Sequence, residues 1–191
     1  MKQGTKTIFL VFLNLYGMLC PSYGQGRYIS RWYASPYFYR LNTDDGLSNR
    51  QVNDIRQDYL GFMWFGTANG LDRYDGHEIK SYYFSIEDTT SITNNNISKV
   101  FEDSDQRLWV GTTNGLNLYN REKNNFVQFL NDSTDEKSLG DNQIEDIIED
   151  SEGNIWIATY NGLNRWNEQD STFTKYLTTT EKKNSYSQIF T

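Results

Sequence analysis

The chain has 191 residues, enough for one ordinary domain, and its 18 basic and 25 acidic side chains give a net charge of −7. This acidic balance excludes binding to the phosphate backbone of nucleic acids, which needs clusters of Lys and Arg, and no nucleic-acid partner is expected. The single cysteine, Cys20, excludes an internal disulfide, so packing alone has to stabilise the fold.

Residues 1–24 have the three regions of a secretory signal peptide. Two lysines precede an apolar run from Ile8 to Leu19, and small residues follow at 22–24. The run is shorter than the roughly 20 residues that a membrane-spanning helix needs, and Leu19 before Cys20 fits a lipoprotein signal poorly. Cleavage removes two lysines and no acid, which leaves 16 basic and 25 acidic side chains, a net charge of −9. The mature chain is therefore expected outside the cytoplasm.

A lead of residues 25–36 separates this signal from a short aromatic segment. Tyr37–Leu41 is predicted to be an outer strand without inner strands of its own, followed by a loop to residue 47. The prediction depends on spacing, because Tyr39 precedes Val52 by the same 13 residues that separate Phe84 from Ile97.

One pattern then recurs three times, each time with a tryptophan and an Asn-Gly pair. The steps between copies are 45 and then 47 residues, and the anchors of the pattern are Trp64, Trp109, Trp156, Gly70, Gly115 and Gly162. A period of about 45 residues with such punctuation is typical of one four-stranded β-propeller blade. The sequence therefore predicts an all-β fold with three four-stranded antiparallel blades, an incomplete propeller. Their predicted bounds are 48–93, 94–140 and 141–180, with the truncated start of a fourth repeat at 181–191.

The third repeat illustrates the strand assignment. The predicted strands are Ile144–Ile148, Ile155–Ile157, Leu163–Trp166 and Phe173–Leu177, and the Asn-Gly pair turns the second strand into the third. The second strand is apolar on both faces, which indicates burial between neighbouring blades. The first strands also show apolar spacing typical of a short helix, but their recurrence among hairpins favours strands.

Three blades do not complete a ring, because propellers typically close with about 4–8 blades. Open blade faces and unpaired strand edges would be left in water. Two explanations remain: the chain is a fragment of a longer protein, which the sequence favours, or copies pair to close the ring.

The repeats resemble the two-component regulator propeller repeat. The first copy fits its pattern at Val52, Ile55, Asp58, Gly61, Trp64, Gly66, Thr67, Gly70, Leu71 and Tyr74. The later copies depart from it at Gln106, Ala158 and Trp166. The resemblance implies an N-terminal fragment of the periplasmic sensor region of a hybrid two-component histidine kinase of the Bacteroidetes type, anchored in the inner membrane and often responsive to glycans. The kinase domain itself is absent from this sequence.

No catalytic residue, metal site or cofactor is predicted. His77, the sole histidine, lies in a predicted turn rather than on a helix, and no Gly-rich phosphate loop occurs. Asp103 and Asp105 resemble the start of a calcium loop but lack its Gly and distant Glu. Asp58, Asp103 and Asp150 recur at the same turn, which indicates a role in the turn.

Candidate ligand-binding residues lie in the loops before the first strands and between the second and third strands. They are Tyr160, Arg50, Asn69, Asn96, Asn114, Gln143 and Asn161. Amides, a guanidinium and an aromatic ring suit the hydroxyls and faces of an oligo- or polysaccharide. Tyr160 stands out because its counterparts are Ala68 and Thr113. The alternatives are a fragment of a secreted carbohydrate-active propeller enzyme and a self-assembling interaction module.

Overall fold

The computed structural model describes residues 40–176, which form twelve strands in three four-stranded antiparallel sheets and no α-helix. Strands pair in chain order within each sheet, so each sheet is one blade. Blade 1 contains β1 (Val52–Gln57), β2 (Met63–Thr67), β3 (Gly70–Tyr74) and β4 (Ile79–Tyr82). Blade 2 contains β5 (Ile97–Glu102), β6 (Leu108–Thr112), β7 (Gly115–Asn120) and β8 (Asn125–Phe129). Blade 3 contains β9 (Ile144–Glu149), β10 (Ile155–Thr159), β11 (Gly162–Asn167) and β12 (Thr172–Tyr176).

The all-β prediction is confirmed, and the first strands are strands rather than helices. A short 3-10 helix, Thr43–Asp45, precedes blade 1. The predicted signal peptide, the lead, the aromatic part of the orphan strand and the start of a fourth repeat at 181–191 all lie outside the described residues. Arg40 and Leu41, the described end of the orphan strand, are not in a strand. Within residues 40–176, no helix has the length and apolar character that crossing a membrane requires.

The recurring aspartate of each repeat joins the turn between the first and second strands to the repeat's tryptophan. The indole nitrogens of Trp64, Trp109 and Trp156 donate to these aspartates over 2.9, 2.8 and 2.8 Å. The other carboxylate oxygen accepts backbone N–H groups of the turn, as Asp150 does from Glu152 and Asn154. These donors lower the pKa of the Asp150 carboxyl, the Trp156 indole most strongly. The predicted role of these residues in the turn is confirmed.

The same turn requires a left-handed residue before the second strand. Gly61 and Gly153 take φ values of 90° and 82° there, and Gln106 takes 64° at the equivalent position. Gln106 is therefore a departure from the repeat pattern that keeps the turn and accepts an unfavourable backbone conformation.

Aromatic side chains fill the space between blades in a repeated arrangement. In blade 1, Trp64 stacks on Tyr82 with ring centroids 5.8 Å apart, and Tyr119 of blade 2 meets Trp64 edge-on at 4.9 Å. In blade 2, Trp109 meets Trp166 of blade 3 edge-on at 5.3 Å. Trp64 and Trp109 are fully buried by these contacts. Each interface therefore has its own apolar core.

Blade 3 presents the equivalent surface without a described neighbour. Trp156 packs on Tyr176 at 5.2 Å but remains half-buried, and Tyr176 is 37% exposed. The prediction that the second strand is buried on both faces is therefore confirmed for β6 and is wrong for β10 within the described residues. The physical reason is that no described strand packs over Trp156.

The first strands of neighbouring blades approach the second strands closely. A Cβ added to Gly66 would lie 2.8 Å from Ile97 Cγ2, and one added to Gly111 would lie 2.6 Å from Ile144 Cγ2. The third repeat has Ala158 at this position, and its half-exposed strand has no described neighbour that would meet the methyl group. Gly66 and Gly111 thus mark the positions where the next blade packs too closely for a larger side chain.

Charged side chains complete the interfaces at the turn end of the blades, the end with the recurring aspartates. Arg121 of blade 2 donates to Asp58 of blade 1 over 2.8 Å, and the Asp58 side chain is fully buried. At the next interface the earlier blade supplies the cation instead, because Arg107 of blade 2 pairs with Glu168 of blade 3. The Arg107 guanidinium lowers the pKa of the Glu168 carboxyl.

Candidate ligand-binding face

The loops before the first strands and the hairpins between the second and third strands lie together at one end of every blade. Backbone hydrogen bonds join them in the same way three times: Ala68 N–H donates to Gln51 O over 3.0 Å, Thr113 N–H to Asn96 O over 3.1 Å and Tyr160 N–H to Gln143 O over 2.9 Å. We call this end the hairpin face. It comprises the lead-in loops 48–51, 93–96 and 140–143, the hairpins 68–69, 113–114 and 160–161, and the first three residues of each first strand, 52–54, 97–99 and 144–146.

Neighbouring blades are also tied together at this face. Gly70 N–H donates to Asn95 O over 2.7 Å, and Gly115 N–H donates to Asn142 O over 2.6 Å. The hairpins of blades 1 and 2 therefore each hold the lead-in loop of the next blade. Such backbone contacts fix the spacing between successive loops, whatever side chains the loops carry.

The lead-in loops have a fixed local conformation. Asn49, Asn94 and Asp141 each accept, through the side chain, the backbone N–H two residues later, over 2.8 Å in all three loops. This is the Asx turn, which Asn and Asp form because their short side chains reach the backbone. A ligand at this face would meet preformed loops rather than loops that must be ordered on binding.

All seven candidate residues predicted from the sequence are exposed on the hairpin face. The structure brings Tyr160 next to Gln143 through their backbone hydrogen bond, and Asn96 next to Asn53, whose amide donates to Asn96 Oδ1 over 3.3 Å. Asn69 and Asn114 donate their backbone N–H groups to Thr67 and Thr112, which leaves their side-chain amides to solvent. The remaining candidates, Arg50 and Asn161, lie in the same set of loops.

Tyr160 is the most prominent apolar surface of this face. Its side chain is 69% exposed, and within residues 40–176 it has no hydrogen bond or ring contact. The hairpin backbone around it is fixed, because Tyr160 N–H is bonded to Gln143 O and Thr159 Oγ1 donates to Gly162 O over 2.9 Å. A rigidly held, exposed aromatic ring beside amide groups is a suitable platform for the apolar face of a sugar.

The sequence analysis missed a row of charges at equivalent positions of the three first strands. Lys99 Nζ lies 3.8 Å from Asp54 Oδ2 and 3.1 Å from Asp146 Oδ1. Asp54 also accepts Val100 N–H over 2.9 Å. Aligning the repeats at steps of 45 and 47 residues places all three at one position, so the repeat spacing could have revealed the row.

A polar cavity of about 390 Å³ lies at the opposite, turn end, between blades 2 and 3. Arg107 and Glu168 contribute to its wall and are already paired with each other, as described above. Among residues 40–176, no group of three or more His, Cys, Asp or Glu side chains could hold a metal ion. His77, at the turn end of blade 1, is exposed in its turn, and its backbone N–H donates to Asp75.

Comparison with known families explains the repeats. The two-component regulator propeller model matches residues 46–69, 91–114 and 138–161. Each match runs from a lead-in loop to the hairpin of the same blade, so it covers the hairpin face and the first two strands. These segments are two-component regulator propeller repeats. The resemblance found in the sequence is confirmed.

Two of the similar proteins are described as parts of signalling systems. The extracellular domain assigned to a hybrid two-component system of B. thetaiotaomicron is 34% identical, with a TM-score of 0.70 over 77% of this chain. Histidine kinase P4 of Formosa agariphila is 53% identical over 38 residues, which are 20% of this chain. Virginiamycin B lyase of Staphylococcus aureus, 17% identical with a TM-score of 0.50, shares the fold alone. The chain spans 21% of the first relative and 3% of the second.

Proposed function

We propose that these repeats form part of a ligand-sensing propeller that binds an oligo- or polysaccharide at the hairpin face. The family match and the extracellular domain from B. thetaiotaomicron support a sensor role. The observation that carries the ligand class is Tyr160, an exposed ring on a hairpin that a backbone hydrogen bond to Gln143 holds in place, in loops that also carry exposed amides. Sugars combine apolar faces with many hydroxyls, and this pairing of groups matches both.

The proposed mechanism is binding without catalysis in this chain. The protein is exported to the periplasm, and ligand binding biases a longer, membrane-anchored sensor between two states that its kinase reads. A glycosidase would need two carboxylates facing each other across a sugar. On the hairpin face, the carboxylates Asp54 and Asp146 are both engaged by Lys99, which leaves that pair unsuited to acid–base chemistry.

The direct test is binding of the mature chain to a panel of immobilised oligo- and polysaccharides. We expect saturable binding to at least one glycan, and Tyr160→Ala is expected to weaken it at least tenfold without altering thermal unfolding. Leu60→Ala is the control, because Leu60 is 56% exposed at the turn end. Failure of every glycan to bind, or equal loss in both variants, would contradict the proposal.

The absence of catalysis is tested separately, by incubating the chain with the same glycans and measuring newly formed reducing ends. We expect no release above that of a heat-denatured control. Steady turnover would show a carbohydrate-active enzyme instead of a sensor.

A further inference from the structure

The charge of the hairpin face restricts which sugars it suits. The lead-in loops, the hairpins and the first three residues of each first strand carry six charged side chains: Arg50, Asp54, Lys99, Asp141, Glu145 and Asp146. Four of them are acidic and two are basic, so the face has a net charge of −2. The two cations lie in blades 1 and 2, whereas three of the four acids lie in blade 3.

The cation nearest to blade 3 is already neutralised. Lys99 Nζ is 3.1 Å from Asp146 Oδ1 and 3.8 Å from Asp54 Oδ2, and its side chain is 31% exposed. Two carboxylates therefore share one ammonium group, which leaves no positive charge there for a ligand. A site for anionic sugars would instead present Arg or Lys with free donors to carboxylate or sulfate groups.

The surroundings of Tyr160 are negative as well. Tyr160 is held by Gln143, and the Gln143 side chain donates to Glu145 Oε1 over 2.7 Å. Asp141 lies in the same lead-in loop, and Glu145 is exposed. The carboxylates repel the negative charges of uronates and sulfates, whereas the uncharged amides can donate to and accept from neutral hydroxyl groups.

We propose that the hairpin face selects uncharged glycans and rejects polyanionic ones, an inference that rests on the proposed glycan-binding function. The carboxylates of blade 3 supply the rejection, and Tyr160 with the loop amides supplies the attraction. Discrimination against a wrong ligand by like charge is a common source of specificity. Because Glu145 and Asp146 are exposed, their effect is expected to be strong at low salt and weak at high salt.

Matched pairs of polymers test this selection: mannan against mannuronan, and dextran against dextran sulfate. Binding of the mature chain is measured at about 20 mM and about 500 mM salt, where the screening length falls severalfold. We expect that, in a pair whose neutral member binds, the charged member binds at least tenfold more weakly at low salt. Equal or tighter binding of the charged member would overturn the inference while keeping the proposed function. Binding to no glycan would overturn both.

A charge variant then tests the origin of the rejection. Glu145→Gln keeps the side-chain shape and should strengthen binding of the charged member about two- to fivefold at low salt, the size expected for one exposed charge. Binding of the neutral member should not change, and the gain should fade at high salt. Glu122→Gln is the control, since Glu122 is exposed in the turn after β7, at the opposite end of the blade. The same affinity change in both variants, or none in Glu145→Gln, would contradict a role for the blade 3 acids.

Discussion

At the scale of single residues, one hydrogen bond explains why aspartate and tryptophan recur together. The Trp109 indole donates to Asp103 over 2.8 Å, and both side chains are buried. The indole is fully buried in its interface, and the bond satisfies its single polar atom. If the buried indole N–H had no acceptor, its desolvation would offset much of the free energy that burial of the ring contributes. The pattern thus serves the packing of blades.

Trp109→Ala tests this role. We expect the free energy of unfolding, measured by urea denaturation, to fall by about 3–5 kcal/mol, because a fully buried indole is lost and a cavity remains. Trp156→Ala is the matched comparison: its half-buried side chain should cost less than half as much. Similar losses in both variants would show that the blades do not pack as described.

A second residue-level prediction concerns Gly115, which lies in the hairpin of blade 2 with φ of 128°. In Gly115→Ala the new Cβ would meet Leu130 Cδ2 at 2.7 Å and Thr93 Cβ at 3.0 Å. Backbone strain and overpacking together should cost about 3 kcal/mol in unfolding experiments. Gly76→Ala separates the two causes, because Gly76 also has positive φ but nothing within 4 Å of the added Cβ. It should cost only about 1–2 kcal/mol. A cost no greater at Gly115 than at Gly76 would be inconsistent with crowding.

At the scale of elements, the sequence predicts strands well and interfaces poorly. The recurring Asn-Gly hairpins predict the positions of β2, β3, β6, β7, β10 and β11. The apolar residues of β5 and β9 have a spacing typical of a helix, but their place in the same repeat favours strands. The contact between Arg121 and Asp58 joins residues that lie 63 positions apart in the sequence. The next interface uses a different pair, Arg107 and Glu168, in which the earlier blade supplies the cation. Because each interface has its own ion pair, a sequence pattern shared by all repeats cannot predict these pairs.

The same reasoning applies to the candidate face. The loops that form it could be predicted, because hairpin positions follow from the repeat. The row formed by Asp54, Lys99 and Asp146 escaped notice, because opposite charges at one repeat position look like sequence variation until the strands lie side by side.

Arg121→Met tests the first interface between blades. Asp58 is fully buried, and loss of the Arg121 guanidinium would leave its carboxylate without a cation. The carboxylate of Glu102 would lose the same cation, and burial already raises the pKa of this carboxyl. We expect a loss of about 2–3 kcal/mol in the free energy of unfolding. Lys123→Met, in the same turn but exposed, should change it by less than about 0.5 kcal/mol. An equal effect of both substitutions would contradict the proposed interface.

At the scale of the whole molecule, the two ends of the three blades carry different kinds of contact. The turn end carries the buried Asp–Trp bonds and two of the ion pairs between blades, Arg121 with Asp58 and Arg107 with Glu168. The hairpin face carries exposed side chains on loops whose backbones are already bonded to each other. This separation lets the loop side chains differ between repeats without disturbing the aromatic interfaces. It is the arrangement expected of a scaffold that presents a binding surface.

Hydrogen exchange of the mature chain, with and without the neutral glycan that binds it most tightly, tests the central claim most directly. The account predicts slower exchange of the amides in the lead-in loop 140–143 and the hairpin 160–161. Exchange in the Asp–Trp turn of blade 2, residues 103–107, should not change. Slower exchange at the turn end alone, or no change anywhere, would contradict ligand binding at the hairpin face.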